Sequence, residues 1–154
     1  MAKIRPQQDL RNCVCLNLRK AARAVTQLHD AAMQPLGVRA TQFSILAALR
    51  LVGPVPLSPL AKALVMDRTT LTRDLRPLEK AGYVESAPGA DRRVRLLNLT
   101  AAGKALVEEG MPIWSGLQDA MYSTLGEQEW GRLLNSLTHV VEATRSHAAA
   151  ETSS

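Results

Sequence analysis

The amino-acid sequence predicts a mainly α-helical fold of six helices with one small β-hairpin. Hydrophobic residues make up 46% of the 154 residues, but aromatic residues make up only 3%. The core must therefore be built from leucine, alanine and valine, which suits packed helices better than an aromatic-rich β-sandwich. Apolar residues recur at helical spacing along most of the chain, and one stretch has the β-branched and apolar runs typical of two paired strands.

A chain of this length can bury one core and is short for two ordinary domains, so we expect residues 1–154 to form a single domain. No run approaches the roughly 20 apolar residues needed to cross a bilayer. Residues 1–9 contain no apolar stretch that resembles a signal peptide. The sequence therefore predicts a cytoplasmic protein without a membrane partner.

Proline and glycine separate the first three predicted helices. Residues 10–33 carry apolar side chains at steps of three and four, which gives a long helix one apolar face. Residues 41–51 are apolar on nearly all sides, so the second helix is predicted to be buried. After a Gly-Pro-Val-Pro break, Ser58 is expected to cap a short third helix.

The fourth helix has a defined start and end. Asp67 is expected to cap it, because an aspartate oxygen accepts hydrogen bonds from the unpaired N–H groups of the first turn. Gly82 fits the left-handed position just after the helix. Pro77 removes one backbone hydrogen bond, so we expect a kink in the last turn.

A hairpin and two further helices complete the predicted fold. Residues 83–87 and 94–99 are predicted strands on either side of a turn-rich basic insert. Thr100 is expected to cap a long fifth helix, and Gly126 precedes the sixth. Residues 146–154 are expected to form a disordered tail.

Charge is distributed unevenly along this chain, whose net charge is +5. Residues 1–59 carry eight lysines and arginines against two acids (+6), and residues 60–100 carry eight against five (+3). Residues 101–154 carry three against seven (−4). Basic surface attracts phosphate, so the first two thirds favour a polyanionic partner. Charge alone leaves open the alternative of an unevenly charged, solvated surface.

The fourth helix has two opposite faces. At 100° per residue, three arginines and two of the threonines span about 140°, and the leucines lie on the other side. This polar face consists of Arg68, Thr69, Thr72, Arg73 and Arg76. It contains no acid, and guanidinium and hydroxyl groups suit base edges and phosphate oxygens in a DNA major groove. An ordinary amphipathic surface helix is the alternative.

The hairpin insert adds Arg92, Arg93 and Arg95, with Asp91 close enough to hold one guanidinium. Arginine in a narrow minor groove is a recurring mode of DNA shape recognition. We expect Arg93 to enter the minor groove and Arg92 and Arg95 to contact phosphates. A solvated basic turn is the alternative. The order of short helix, turn, polar helix and basic hairpin nevertheless describes a helix-turn-helix followed by a wing.

Two segments resemble the MarR family of bacterial regulators. Residues 91–103, DRRVRLLNLTAAG, are similar to that family's Asp-x-Arg wing and Leu-Thr-x-x-Gly helix start. Residues 71–73 and 78–84 resemble its recognition helix and the exit from it, although Pro77 departs from the commonest pattern. The resemblance extends over about residues 10–145.

This resemblance implies a homodimeric transcriptional regulator, by family habit a repressor, that binds double-stranded DNA at a palindromic operator. Residues 38–100 would form the winged helix-turn-helix lobe, and residues 10–36 and 101–145 the helical dimerisation region. Two recognition helices would then lie about 34 Å apart, which is one DNA turn. The acidic C-terminal third agrees independently, because it carries an apolar stripe that one small lobe could not cover. The stripe consists of Trp130, Leu133, Leu134, Leu137, Val140 and Val141.

The resemblance also implies a site for a small-molecule effector. Family members often release DNA when a small phenolic or aromatic compound binds between the dimerisation helices and the winged lobe. The candidate lining residues are His29, Phe43, Met111 and Trp114. The alternative is that these side chains are ordinary core, as methionine and aromatic residues at helical spacing often are.

Cys13 and Cys15 raise a redox alternative, because some family members sense peroxides through a cysteine in the first helix. Cys15 is nearest to that position. Two residues apart on one helix, the thiols differ by about 200° and cannot pair without unwinding. The competing interpretation is that each is a small buried apolar residue.

The sequence does not predict an enzyme. The three histidines lack metal-ligand spacing, and the chain has no glycine-rich phosphate loop and no serine nucleophile elbow. We therefore expect no metal and no cofactor. A protein that coats DNA without sequence preference remains an alternative, because it would present the same basic face.

Overall fold

The computed structural model describes residues 9–91 and 93–151. Within this part of the chain it contains five α-helices and three short β-strands. In chain order these are α1 (Val14–Met33), α2 (Ala40–Val52), β1 (Val55–Pro56), α3 (Leu57–Ala63), α4 (Arg68–Lys80), β2 (Val84–Pro88), β3 (Arg95–Leu99) and α5 (Ala101–Glu151). The prediction of a mainly helical protein with a small hairpin is confirmed.

Helix α5 is interrupted once. Gly126 has φ 74° and ψ 162°, which is not helical, so helical segments lie on both sides of it. These segments correspond to the predicted fifth and sixth helices. Residues 146–151, expected to belong to a disordered tail, instead continue α5 to Glu151. This stretch contains three consecutive alanines, the best helix formers. Residues 152–154 lie outside the described residues.

The chain divides into two compact units, Met1–Trp114 and Ser115–Ser154. The described core of the first unit is aliphatic, as the composition predicts. Its most deeply buried large side chains are Met33, Ile45, Leu46, Leu49, Leu60, Leu71 and Leu78. In the second unit, the rings of Tyr122 and Trp130 meet edge to face with centroids 5.9 Å apart. None of the helices formed by the described residues combines the length and apolar character that a bilayer crossing requires.

The three strands form one antiparallel sheet in the order β1-β3-β2. The predicted hairpin pairs Val84 with Leu99 at its base and Pro88 with Arg95 near its tip. The third strand, β1, was not predicted, because its two residues lie inside a proline-rich break. Val55 pairs there with Leu97. This pairing joins the segment before α3 to the hairpin.

The ends of α3 and α4 differ in part from the sequence prediction. Helix α3 begins at Leu57 with Pro56 in the cap position, so Ser58 lies inside the first turn and is not the cap. Helix α4 is continuous from Arg68 to Lys80 with Pro77 inside it, and the kink expected in its last turn stays a prediction. It ends as predicted at Gly82, whose φ is 75°. The following N–H, of Tyr83, donates to the carbonyl of Leu78 at 2.9 Å and closes the helix.

Candidate nucleic-acid interface

Helix α4 presents its polar face around one depression. Leu71, Leu75 and Leu78 are buried on the opposite side of the helix. The depression has a volume of about 660 Å³, and Leu57 of α3 forms part of its wall. The other lining residues are Arg68, Thr69, Thr72, Arg73 and Arg76, all of them exposed. The structure thus brings together all five residues that the helical angles predict, in a concave surface rich in hydrogen-bond donors.

Asp67 fixes the start of this helix, as predicted. Its Oδ1 accepts a hydrogen bond from the backbone N–H of Thr70 at 2.8 Å, and its Oδ2 accepts one from the Thr70 hydroxyl at 2.6 Å. The hydroxyl bond and then the backbone bond hold the pKa of Asp67 below its ordinary value, because both stabilise the carboxylate. The cap therefore carries its charge at neutral pH.

Sequence analysis missed an acidic partner of the polar face. The Nε of Arg73 donates to Oδ1 of Asp74 at 3.3 Å. The helical angles place Asp74 beside the polar face rather than in it, but a long arginine side chain can reach its neighbour. The guanidinium groups of Arg68 and Arg76 have no hydrogen bond or ion pair with the described residues, whereas the Arg68 carbonyl accepts a hydrogen bond from the Thr72 hydroxyl at 2.7 Å. Of the three arginines, Arg73 is thus the one whose orientation is restrained.

The wing turn is held by its aspartate in a way that differs from the prediction. Oδ1 of Asp91 accepts a hydrogen bond from the backbone N–H of Arg93 at 2.9 Å. The Asp91 carboxylate thus holds the turn backbone in place, and it bonds to no guanidinium in the part of the chain that the structure describes. The Arg93 guanidinium is exposed and forms no ion pair with the described part of the chain. Arg92, expected to contact a phosphate, lies outside the described residues.

Arg95 is bonded across the hairpin rather than free. Its Nε donates to the Ser86 hydroxyl at 2.8 Å, and its Nη2 donates to the Ser86 carbonyl. Ser86 lies on β2 and Arg95 on β3, so these bonds tie the two strands together near the tip. A role in stabilising the wing therefore accompanies the predicted phosphate contact. The contact between Arg95 and Ser86 depends on the register of the two strands. The sequence did not predict that register, because it did not determine the length of the turn.

A second cavity, in the first unit, contains the four residues suggested for an effector site. Its volume is about 600 Å³. Phe43 is 3% exposed, whereas Met111 and Trp114 are 41% and 39% exposed. His29 completes the predicted set, and all four line the cavity. Phe43 thus belongs to the core and to the cavity wall at once.

Polar groups at this cavity include two that sequence analysis missed. Arg50 of α2 and Glu108 of α5 both line it, and neither has an ion-pair partner among the described residues. Nδ1 of His29 lies 2.9 Å from the Val25 carbonyl and donates to it, since a carbonyl only accepts. When His29 is neutral, its Nε2 is therefore a hydrogen-bond acceptor. The cavity combines an apolar wall with one cationic and one anionic side chain.

The two cysteines differ from the sequence interpretation. Cys15 is exposed and Cys13 is half-buried, so neither is a buried core residue of this chain. Helix α1 begins at Val14, and Cys13 has the extended backbone of a residue before the helix. The helical angle that separated the two thiols therefore does not apply. Among the described residues, no group of three or more His, Cys, Asp and Glu side chains is placed to hold a metal ion.

Residues 38–94 match the sequence model of the MarR family. The chain is 32% identical over 103 residues to YcgE of Bacillus subtilis, an uncharacterized HTH-type transcriptional regulator, covering 66% of this chain and 67% of that protein. It is 37% identical over 78 residues to the multiple antibiotic resistance protein MarR of Salmonella typhimurium, covering 50% of this chain. The chain spans only 54% of the length of that MarR protein.

Solved structures extend the likeness over most of the chain. The M. tuberculosis transcriptional regulator MosR, in complex with DNA, has a TM-score of 0.79 and 35% identity, covering 87% of this chain and 97% of that chain. BpsR of Bordetella bronchiseptica, whose DNA binding is regulated by 6-hydroxynicotinic acid, has a TM-score of 0.78 and 26% identity. That comparison covers 86% of this chain and 96% of BpsR.

Proposed function

The chain belongs to the MarR family of winged helix-turn-helix transcriptional regulators, and from this premise we propose that it represses genes by binding a palindromic operator as a homodimer. The polar face of α4 carries the proposal, because three arginines and two threonines line one exposed depression. Side chains of these types recognise base edges and phosphates in the major groove. The exposed Arg93 of the wing supplies the minor-groove contact.

Dimerisation rests on apolar surface that the second unit leaves exposed. Leu133, Leu134 and Leu137 are 40%, 47% and 39% exposed. Adjacent apolar side chains on one helix face mark an interface more often than a solvated surface. A second copy of this chain is the proposed partner, because a two-fold symmetric dimer presents two recognition helices to a palindromic site.

The cavity at His29 and Phe43 is the proposed effector site. A volume of about 600 Å³ suits a small organic molecule. The regulation of BpsR by 6-hydroxynicotinic acid supports a small aromatic effector for this chain too. Titration of that compound against a Trp130→Phe variant, which leaves Trp114 as its one tryptophan, tests the site by fluorescence. A saturable change is expected, and no change at millimolar concentration would rule this compound out.

Selection of DNA fragments from a genomic library, followed by footprinting at physiological salt, tests the main proposal. The expected result is protection of a short inverted repeat whose half-sites lie about one turn apart. Uniform, salt-sensitive retention of all fragments would instead support the DNA-coating alternative. No retention at all would overturn DNA binding.

The redox alternative is tested separately. If Cys15 were a peroxide switch, peroxide would weaken operator binding in the wild type and not in the Cys15→Ser variant. Its exposure makes Cys15 accessible to peroxide, but accessibility alone does not give it a switching role. We expect the two proteins to respond alike.

A further inference from the structure

Two glycines on one face of α5 allow unusually close contacts with two different parts of the first unit. A Cβ atom added to Gly103 would lie 2.0 Å from the carbonyl oxygen of Tyr83. A Cβ atom added to Gly110 would lie 2.2 Å from Cε2 of Phe43. Seven residues are almost two helical turns, so the two glycines share a face about 10.5 Å apart. Leu106 and Val107, between them, are buried.

The Gly103 contact lies where the recognition helix joins the wing. Tyr83 stands between the end of α4 and the start of β2. Its carbonyl accepts a hydrogen bond from the Thr100 N–H at 3.1 Å, and the Thr100 hydroxyl donates to the Gly82 carbonyl at 2.6 Å. The same hydroxyl oxygen accepts from the Gly103 N–H at 3.0 Å, which confirms the predicted cap. The start of α5 is therefore bonded to the exit of α4 and to the base of the wing.

The Gly110 contact lies at the cavity. The Phe43 ring packs directly on the α5 backbone at Gly110, and the same side chain forms part of the cavity wall. From α5, Val107 and Met111 line the cavity beside it. If a bound molecule pushes the Phe43 ring toward α5, the ring meets the helix backbone and has no free space to move into.

We propose that this glycine face couples the cavity to the DNA-binding elements, with the Phe43 ring transmitting the displacement caused by a bound molecule to α5. A displaced ring shifts α5 at Gly110, and the rigid segment between the glycines carries that shift to Tyr83 and the wing. Close-packed interiors transmit such displacements because they have little free volume to absorb them. The proposal rests on the proposed function and adds the means by which the effector site controls DNA binding.

The Gly110→Ala variant tests the coupling without any ligand, because its methyl group pushes on Phe43 from the other side. We expect it to bind the selected operator about tenfold more weakly than the wild type, within the usual range of coupling between sites. The double variant Gly110→Ala/Phe43→Leu restores space and should recover to within about threefold of Phe43→Leu alone. Gly116→Ala is the matched control on the same helix, because a Cβ there meets nothing within 4 Å.

Wild-type affinity in Gly110→Ala would overturn the coupling, as would a loss that Phe43→Leu does not relieve. If Gly110→Ala does not fold, reciprocity supplies a second test. In the Trp130→Phe protein, operator binding should change the fluorescence of Trp114 at the cavity, and unchanged emission at saturating operator overturns the coupling. These outcomes are distinct from failure of the proposed function, in which the wild type itself selects no operator.

Discussion

Asp67 and Thr70 are joined by two hydrogen bonds across the first turn of α4, one to the backbone N–H and one to the hydroxyl. This pair fixes where the recognition helix begins and therefore which residues follow on its polar face. The hydroxyl of Thr70 adds a bond that an N-cap alone does not need. The geometry of the proposed DNA-binding surface thus depends on a residue that lies outside that surface.

The first prediction concerns the pH dependence of this cap. The pKa of Asp67 is lowered by folding, so its charge stabilises the protein fully above the ordinary pKa of about 3.9. That stabilisation is lost as the pH falls below this value toward the folded pKa. Asparagine caps helices equally well but does not titrate. Urea unfolding between pH 3 and pH 7 measures the free energy of unfolding of the wild type relative to that of Asp67→Asn. This relative stability should decrease as the pH drops below about 4, and a constant difference would contradict the mechanism.

The second prediction concerns base recognition by Arg73. This side chain is restrained by Asp74, so it can present its guanidinium in a defined orientation. Arg73→Ala should weaken binding to the true operator by about 1–3 kcal/mol and weaken binding to unrelated DNA much less. Competition assays with operator and scrambled duplexes measure the ratio. Lys80→Ala, at the end of the same helix and outside the depression, is the control, and equal losses on both duplexes would assign Arg73 to the backbone.

The third prediction separates the two described arginines of the wing. Arg93→Ala should weaken operator binding and reduce the slope of log affinity against log salt by about one, because a cation in the minor groove also displaces condensed counterions from the DNA. Ser86→Ala keeps every arginine of the wing but removes one bond that holds Arg95 across the hairpin. It should weaken binding with the salt slope unchanged. A reduced slope in Ser86→Ala would mean that the serine affects charge contacts directly.

The fourth prediction tests the proposed dimer interface. Leu137→Glu places a charge in the apolar stripe and should shift the protein toward monomer in light scattering at micromolar concentration. Asn135→Glu adds the same charge to the same helix about 160° from the centre of the stripe, and should leave the mass unchanged. If both variants stay dimeric, the stripe is not the interface.

Local signals in the sequence predicted much of the fold. Asp67 and Gly82 mark the ends of α4 because a cap oxygen and a left-handed glycine act within a few residues. The same local logic failed at Ser58, where Pro56 already supplies the extended cap conformation. It also missed β1, because pairing of Val55 with Leu97 joins residues 42 positions apart.

The residues of the candidate sites also divide into those that local sequence predicts and those that only tertiary contacts bring together. Helical angles alone collected the polar face of α4, since every member belongs to one helix. They could not reveal that Arg95 bonds to Ser86, because that contact depends on the register between two strands. Nor could they find Arg50 and Glu108 at the cavity beside Phe43, because these side chains come from helices far apart in sequence.

The sequence by itself thus determined the helices, the wing and the charged face of α4, because periodicity and capping are properties of short segments. Only the tertiary structure decided that Gly103 rests against Tyr83 and Gly110 against Phe43. From sequence alone, a glycine inside a helix predicts local destabilisation. Whether it instead allows a close contact depends on which residues pack against it. That packing partner is fixed by the whole core and not by the neighbours in the chain.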